Sequence, residues 1–253
     1  MLQQAEQFNG VLTCARYGFK PNQLNYCGPD RNRELLEYIN SGLPSEALAK
    51  DGGLELILKK FETVYPYLKL IAHSNKIENP FDKKVSNAYW IGNEMLTNSG
   101  AAKLYYHLAD GLNLKKKLLP EEVSVLKNKM AKGANPHHSF HVFNIWQRTG
   151  HTENPHTLFT MDECRVGWGK VVAQAEKTIT VVYEPLAFKD GKLAFAAPVA
   201  KNIFYELNNQ KVLSGDWISF HWSSFCEVLL PEDLKNLRYW TSINLELANI
   251  YES

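Results

Sequence analysis

Four cysteines and eight histidines supply the soft metal donors and the nucleophilic groups of this 253-residue chain. Cys164 and His221 stand out because both belong to a segment rich in strand-forming residues. A thiolate and an imidazole suit a borderline metal such as iron better than hard oxygen ligands would. Two protein ligands would leave other coordination positions on a metal open. The alternative, a buried core cysteine and a hydrogen-bonded strand histidine, stays open.

A second group of candidate residues lies in the first half of the chain. Cys27 is in a Gly/Pro-rich loop before a predicted helix, whose N-terminus would lower the thiol pKa. His137, His138 and His141 are crowded into one short stretch, and in an extended chain His137 and His141 would face one way and His138 the other.

Three interpretations of this second group remain open. Cys27 could join His137 or His141 as a metal ligand. Cys27 could instead be a nucleophile activated by His138, with Asp30 orienting the base. The same residues could also be purely structural, because distance along the chain does not tell whether groups meet in space.

Apolar residues at helical spacing predict that most of the first 133 residues are helical. Asp30 is expected to cap the second helix and Pro66 to kink or end the third. The predicted helices span 5–19, 31–39, 54–72, 85–96 and 101–112, and a further one opens at Pro120.

The pattern changes after residue 133, where an apolar, β-like run leads to Phe143. Val, Thr and Ile then predict strands, Asp190-Gly191 predicts a hairpin, and Pro231 opens a terminal helix. The predicted strands span 165–174, 178–184, 199–207 and 216–229. We therefore expect an α+β fold with a helical domain over 1–155 and a small OB-like β-barrel with a terminal helix over 160–253. The boundary should fall within 150–163.

Composition excludes several classes of partner. Lys+Arg is 28 and Asp+Glu is 27, so nothing favours nucleic acid or a membrane surface. No apolar run approaches the roughly 20 residues that span a bilayer. The first ten residues lack the basic flank and apolar core of a signal peptide. Four widely spaced cysteines suit a reducing compartment, so we expect a soluble, cytoplasmic protein.

Two segments carry a resemblance to a known family: Glu163-Cys-Arg-Val-Gly-Trp-Gly and Ser214-Gly-Asp-Trp-Ile-Ser-Phe-His-Trp. Together with the acidic start of the last helix, they resemble the hydrogenase maturation chaperones of the HypC/HupF family, over roughly residues 162–248. The resemblance implies that Cys164 and His221 hold iron that carries cyanide and carbon monoxide ligands on its way to the nickel–iron hydrogenase large subunit. In that family the cysteine is N-terminal, whereas Cys164 is internal, so a role for a free amine does not carry over.

The Cys27 loop, the histidine-rich stretch and the Gly-Asp-Trp segment are also similar to an uncharacterised bacterial family encoded near nickel–iron hydrogenases, a domain of unknown function. The first resemblance implies an accessory protein that binds an iron fragment or its ligand precursor, and the second strengthens the hydrogenase link without assigning a mechanism. Such a protein would dock on a maturation factor or on the large-subunit precursor. The alternative is an enzyme acting on a small molecule at Cys27 and the His137–His141 stretch.

Overall fold

The computed structural model describes residues 2–41, 51–112, 118–145, 157–205 and 211–250, with side chains from Gly10 onward. Helices dominate up to Cys164 and strands follow, so the α+β class is confirmed. The α-helices are α1 Leu2–Gln23, α2 Asn32–Asn40, α3 Gly53–Leu58, α4 Val64–Ser74, α5 Lys83–Trp90, α6 Ala101–Tyr106, α7 Pro120–Ala131, α8 His138–Phe140, α9 Leu158–Cys164 and α10 Pro231–Ala248. A 3-10 helix spans Glu94–Ser99, and π-helical segments span His107–Gly111 and His141–Ile145.

Two details of the predicted helices are wrong. Pro66 does not kink a helix, because α4 begins at Val64 and so places Pro66 in its first turn. Backbone N–H groups of a first turn have no intrahelical acceptor, so proline costs little there. Asp30 does not cap α2, whose N-cap position is Arg31 with no side-chain cap bond.

Seven strands make up the β part: β1 Gly167–Gln174, β2 Thr178–Tyr183, β3 Leu186–Lys189, β4 Lys192–Phe195, β5 Val199–Phe204, β6 Trp217–His221 and β7 Ser224–Val228. Five of them pair in a closed ring in the order β1-β2-β5-β7-β6, and β1 closes it against β6. β3 and β4 form a separate hairpin around Asp190 and Gly191, as predicted. The likeness of the ring to an OB barrel stays a prediction.

Two segments of the second half differ from prediction. The single strand expected over 216–229 is the hairpin β6–β7, turned by Trp222 and Ser223 at φ of 51° and 54°. Neither residue is a usual turn former at positive φ, so the sequence gives no turn signal there. The β-like run ending at Phe143 is helical instead, because short apolar runs do not distinguish strand from helix.

One hydrophobic core joins the helical half to the β half. Tyr17 and Trp90 belong to the same buried cluster as Trp168, Leu237 and Trp240 from the β half and its terminal helix. The predicted boundary at 150–163 lies partly outside the described residues, and the division into two domains stays a prediction. Within the described ranges, each helix is too short or too polar to cross a membrane.

Gly10 lets α1 approach the start of α5 closely. A Cβ added at Gly10 would stand 2.1 Å from the backbone oxygen of Phe81. We expect Gly10→Ala to lower the free energy of unfolding by about 2–3 kcal/mol, because backbone must move to relieve the overlap. Urea denaturation measures this change. At Gly18 the added Cβ meets only the Phe61 side chain at 3.3 Å, so Gly18→Ala should cost less. Equal effects would contradict this view of the α1–α5 contact.

Candidate metal centre

Cys164 is the last residue of α9. Thr157 caps the start of this helix, and the carbonyl groups at the end have no intrahelical donors. Arg165 fixes the helix end from the other side. Its Nε donates to Asp162 Oδ1 at 2.9 Å, and its guanidinium is buried over the ring of Trp168 at 5.1 Å. The Cys164 carbonyl therefore projects from a rigid corner between α9 and β1.

His221 is the last residue of β6, directly before the Trp222–Ser223 turn. A positive φ at a residue as bulky as Trp222 is uncommon and costs conformational energy. The Trp222 N–H donates to Glu163 O at 2.8 Å, which ties the turn to the residue preceding Cys164. The strained turn thus brings His221 against the end of α9.

His138 reaches the same place from α8. The His137 side chain caps this helix by accepting from Ser139 N. Asn244 of α10, fully buried, donates to Ser139 Oγ at 2.9 Å and exchanges hydrogen bonds with Asn135. Side chains 105 and 109 positions apart therefore hold the turn that presents His138.

His138, Cys164 and His221 form a group that could hold a metal ion. One donor atom from each lies within 4.8 Å of the others. The two imidazole rings are 5.1 Å apart and nearly perpendicular. Both histidines are buried and Cys164 is half-buried, so the sulfur is on the more open side of the group. Two imidazoles and a thiolate are donors typical of zinc, cobalt and ferrous iron.

The His221 ring faces two hydrogen-bond acceptors but has only one N–H to donate. Its Nδ1 lies 2.6 Å from Tyr17 O and its Nε2 lies 2.7 Å from Cys164 O. Both partners are carbonyl oxygens, which only accept, and a neutral imidazole has one N–H. Burial lowers the pKa of His221 to about 4, so the ring is neutral near pH 7. One ring nitrogen therefore points a lone pair at a carbonyl oxygen, and a cation that bound Nε2 would have to displace the Cys164 carbonyl from it.

The outer ring nitrogens already have the partners that metal-bound histidines usually have. A ligating histidine commonly donates its second N–H to a carbonyl or another fixed acceptor. For His221 that acceptor is Tyr17 O, and for His138 the Tyr89 hydroxyl lies 3.0 Å from Nδ1. Burial raises the pKa of Tyr89 well above its usual value, so this hydroxyl stays neutral. Both Nε2 atoms are thus turned toward Cys164.

An aromatic wall surrounds the group. The ring of Trp90 lies 4.7 Å from His138, 5.6 Å from His221 and 4.9 Å from Tyr17, on which it stacks. Tyr17 in turn donates to Glu227 Oε1 at 2.6 Å. These contacts fix the imidazole planes and keep water away from their faces.

Cys27 lies beside this group but is not one of its three members. The adjacent Tyr26 stacks on Trp222, the residue after His221, so the Cys27 loop packs against the same turn as the group. Burial raises the pKa of Cys27 to about 12, and a charge on Cys164 contributes less. A thiol so hard to ionise is a poor nucleophile at neutral pH, which works against the enzymatic interpretation.

The other candidate residues, His141, His137 and Asp30, are not members of the group. His141 is half-buried, with Nδ1 3.3 Å from the Tyr67 hydroxyl, and a charge on it lowers the pKa of His138. His137 is fully buried as the α8 cap. Asp30 is exposed. The expectation that His137 and His141 face together on an extended stretch is wrong, because that stretch is helical and brings His138 into the group instead.

Sequence reasoning named every member of the group but divided them between two sites. It missed Tyr89, Asn244 and Tyr17 as supporting residues. Their contacts to the group bridge separations of 49, 105 and 204 positions, and no local pattern marks such pairs.

Buried neutral histidines make the folded state sensitive to acid. Burial lowers the pKa of His221 to about 4 and of His137 to about 3. Below pH 6.5 these histidines are protonated in the unfolded chain but stay neutral in the folded chain. The free energy of unfolding therefore falls as the pH drops from 6.5 toward 4. Between pH 7.5 and 5 we expect each to cost roughly 2 kcal/mol in the metal-free protein, measured by urea denaturation.

His137→Asn, which keeps a capping side chain, should reduce this pH dependence. The same change at the exposed His73 serves as control and should leave it unaltered. A denaturation midpoint that is equal at pH 7.5 and pH 5 would contradict the buried, neutral state of these imidazoles.

Comparison with known proteins places the chain in a family. A family model described as "Family of unknown function (DUF6390)" matches residues 6–253. No curated protein matches the chain, and no solved structure does. Because the match covers nearly the whole length, the chain belongs to DUF6390, a family of unknown function.

Proposed function

We propose that this protein is an accessory factor of nickel–iron hydrogenase assembly that binds iron, or an iron fragment, at His138, Cys164 and His221. The observation that carries the metal-binding part is the buried His–Cys–His group in which His221 faces two carbonyl oxygens with one N–H. A metal that displaced the Cys164 carbonyl from Nε2 would satisfy the lone pair that the protein alone leaves opposed.

The donor set fits iron as cargo. Two imidazoles and a thiolate bind ferrous iron, although zinc and cobalt fit equally well. Three protein ligands leave positions for small ligands on the metal or for a donor from a partner. Cys164 is half-buried, whereas both imidazoles are enclosed, so exchange would proceed from the sulfur side.

The hydrogenase context is supported by the resemblance of the Cys164 and His221 segments to HypC/HupF chaperones. In that proposal the strand ring is an OB-like barrel, the protein works in the cytoplasm, and the partner is a maturation factor or the large-subunit precursor. Cys164 and His221 are the positions that match the family's cysteine and histidine, and His138 is an addition to that pair.

The proposed docking surface includes a groove of about 390 Å³ between the strand ring and α10. Trp168, Tyr183 and Trp217 line it from the strands, and Arg238 lines it from α10. The exposed Arg238 guanidinium lies 4.7 Å over the half-buried Trp217 ring, so the groove combines a cation with aromatic side chains. Such surfaces are typical of the energetic centres of protein interfaces.

Metal binding is tested with cobalt(II), a spectroscopic substitute for iron and zinc. The metal-free protein should bind about one cobalt per chain and develop thiolate-to-cobalt absorption in the near ultraviolet. Cys164→Ala should lower that absorption by at least about half and weaken binding at least about 100-fold, since it removes a sulfur donor of the group.

Cys226→Ala is the matched control, because Cys226 is a buried cysteine of β7. It should leave the cobalt spectrum unchanged. Failure of the wild-type protein to bind cobalt, or an undiminished thiolate absorption in Cys164→Ala, would refute metal binding at this group.

The iron and hydrogenase part needs protein isolated without oxygen from cells that make the hydrogenase machinery. We expect iron near one per chain, with cyanide or carbonyl infrared bands that vanish in Cys164→Ala and in His138→Ala. Normal hydrogenase activity in cells carrying only Cys164→Ala would overturn the proposed role, even if the purified protein binds cobalt.

A further inference from the structure

We propose that Cys27 is a fourth, exchangeable metal ligand that closes the His138–Cys164–His221 site and leaves it when the metal is passed on. This inference rests on the proposed metal-binding function and adds the way in which the site is closed and opened. The partner that receives the metal would supply a soft donor, a thiolate or an imidazole, which replaces Cys27 on the metal.

The backbone around Cys27 is held firmly. Asn22, which is buried, donates from Nδ2 to Cys27 O at 2.8 Å and to Pro29 O at 2.5 Å. Gly28 has a φ of 80° and lies so close to Phe61 that a Cβ would stand 2.5 Å from its ring. The loop therefore has one conformation and presents Cys27 at a fixed place.

A second set of contacts locks this loop onto the metal group. Tyr26 stacks on Trp222 with ring centroids 4.1 Å apart. Trp222 follows His221 directly, and its N–H donates to the carbonyl of Glu163, which precedes Cys164. Ser223 of the same turn donates to Glu163 Oε2 at 2.7 Å. The neighbour of Cys27 is thus packed on the turn that joins the two other chain segments of the site.

The strained conformation of Trp222 allows both its ring and its N–H to contact segments of the site. A turn built from Asn and Gly would reverse the chain at lower cost. Trp222 instead supplies the flat surface on which Tyr26 rests, while its N–H contacts the segment of Cys164. Positive φ at such a residue is retained when surrounding contacts hold it in place.

Cys27 is placed to exchange rather than to bind permanently. Its sulfur is outside the three-donor group, on a loop that the Tyr26–Trp222 stack holds against the turn following His221. Rotation between staggered χ1 rotamers moves a cysteine sulfur while the backbone stays in place. Cys27 is half-buried as a residue, unlike the enclosed His138 and His221.

Each direction of the exchange moves one proton and replaces one metal ligand. On closing, the Cys27 thiol loses its proton to solvent as a sulfur–metal bond forms. On opening, that bond breaks, the sulfur takes a proton back, and the incoming donor fills the vacated position. No oxidant or reductant is needed, and the metal keeps three protein ligands until the partner has bound. Burial favours the neutral thiol in the metal-free protein, which keeps the open state stable.

The experiment compares wild type, Cys27→Ala and the control Cys14→Ala, each loaded with cobalt(II). Cys14 is a buried cysteine of α1 whose thiol contacts Ser86 Oγ at 3.4 Å and is not one of the three donors. In Cys27→Ala the thiolate-to-cobalt absorption per metal should fall by about half, and cobalt transfer to a chelator should accelerate at least about 10-fold. Cys14→Ala should match wild type.

A second readout does not depend on the spectrum of a variant. In the wild-type protein, cobalt should protect both Cys27 and Cys164 from alkylation, as mapped by mass spectrometry. Protection of Cys164 alone, with an unchanged spectrum and transfer rate in Cys27→Ala, would overturn the role of Cys27 and leave the proposed function standing. If the wild-type protein binds no cobalt at all, both proposals fail together.

Discussion

The backbone carbonyl of Cys164 is the point at which the remote parts of this protein meet. It ends a helix, so it has no donor within that helix. Two imidazole nitrogens, from His138 and His221, lie 2.8 Å and 2.7 Å from it. To bring them there, the fold must fix the end of α9, the end of β6 and the short α8 with respect to one another.

Hydrogen bonds in the rest of the structure offset the free-energy cost of bringing these polar groups together. Burying several neutral imidazoles and a carbonyl group without water requires partners for nearly every polar atom. Asp162 holds Arg165 below the corner, and Asn244 holds the turn before His138. Among the described residues some buried polar atoms stay unpaired, such as Arg165 Nη1 and Trp168 Nε1, and His221 adds a lone pair that faces a carbonyl oxygen. Polar networks of this type fix one arrangement of a core where an apolar core would tolerate several.

Two chain segments, far apart in sequence, close the site from opposite sides. Tyr89 of α5 contacts His138, and the Cys27 loop contacts the β6–β7 turn through Tyr26 and Trp222. The helical half is therefore part of the site and does more than shield it. This explains why chemically interesting residues occur in both halves of the sequence although they serve one centre.

Local pattern predicted the parts of the structure that local forces determine. The helices of the first half, the Asp190–Gly191 hairpin and α10 follow from periodicity, turn residues and the proline start. The Trp222–Ser223 turn could not be predicted, because its conformation is imposed by tertiary contacts.

The candidate site was predictable only in part. Donor chemistry singled out Cys164 and His221, and His138 was noticed but assigned to a different site. Its proper place required knowing that residues 138–145 are helical, and a short apolar run does not reveal that.

X-ray absorption at the metal edge of the zinc-loaded protein tests the central claim most directly. The account predicts a first shell with at least two imidazole nitrogens at about 2.0–2.1 Å and at least one sulfur at about 2.3 Å, the sulfur being lost or reduced in Cys164→Ala. A shell of light atoms alone in the wild-type protein, or one that Cys164→Ala and His221→Ala leave unchanged, would contradict it.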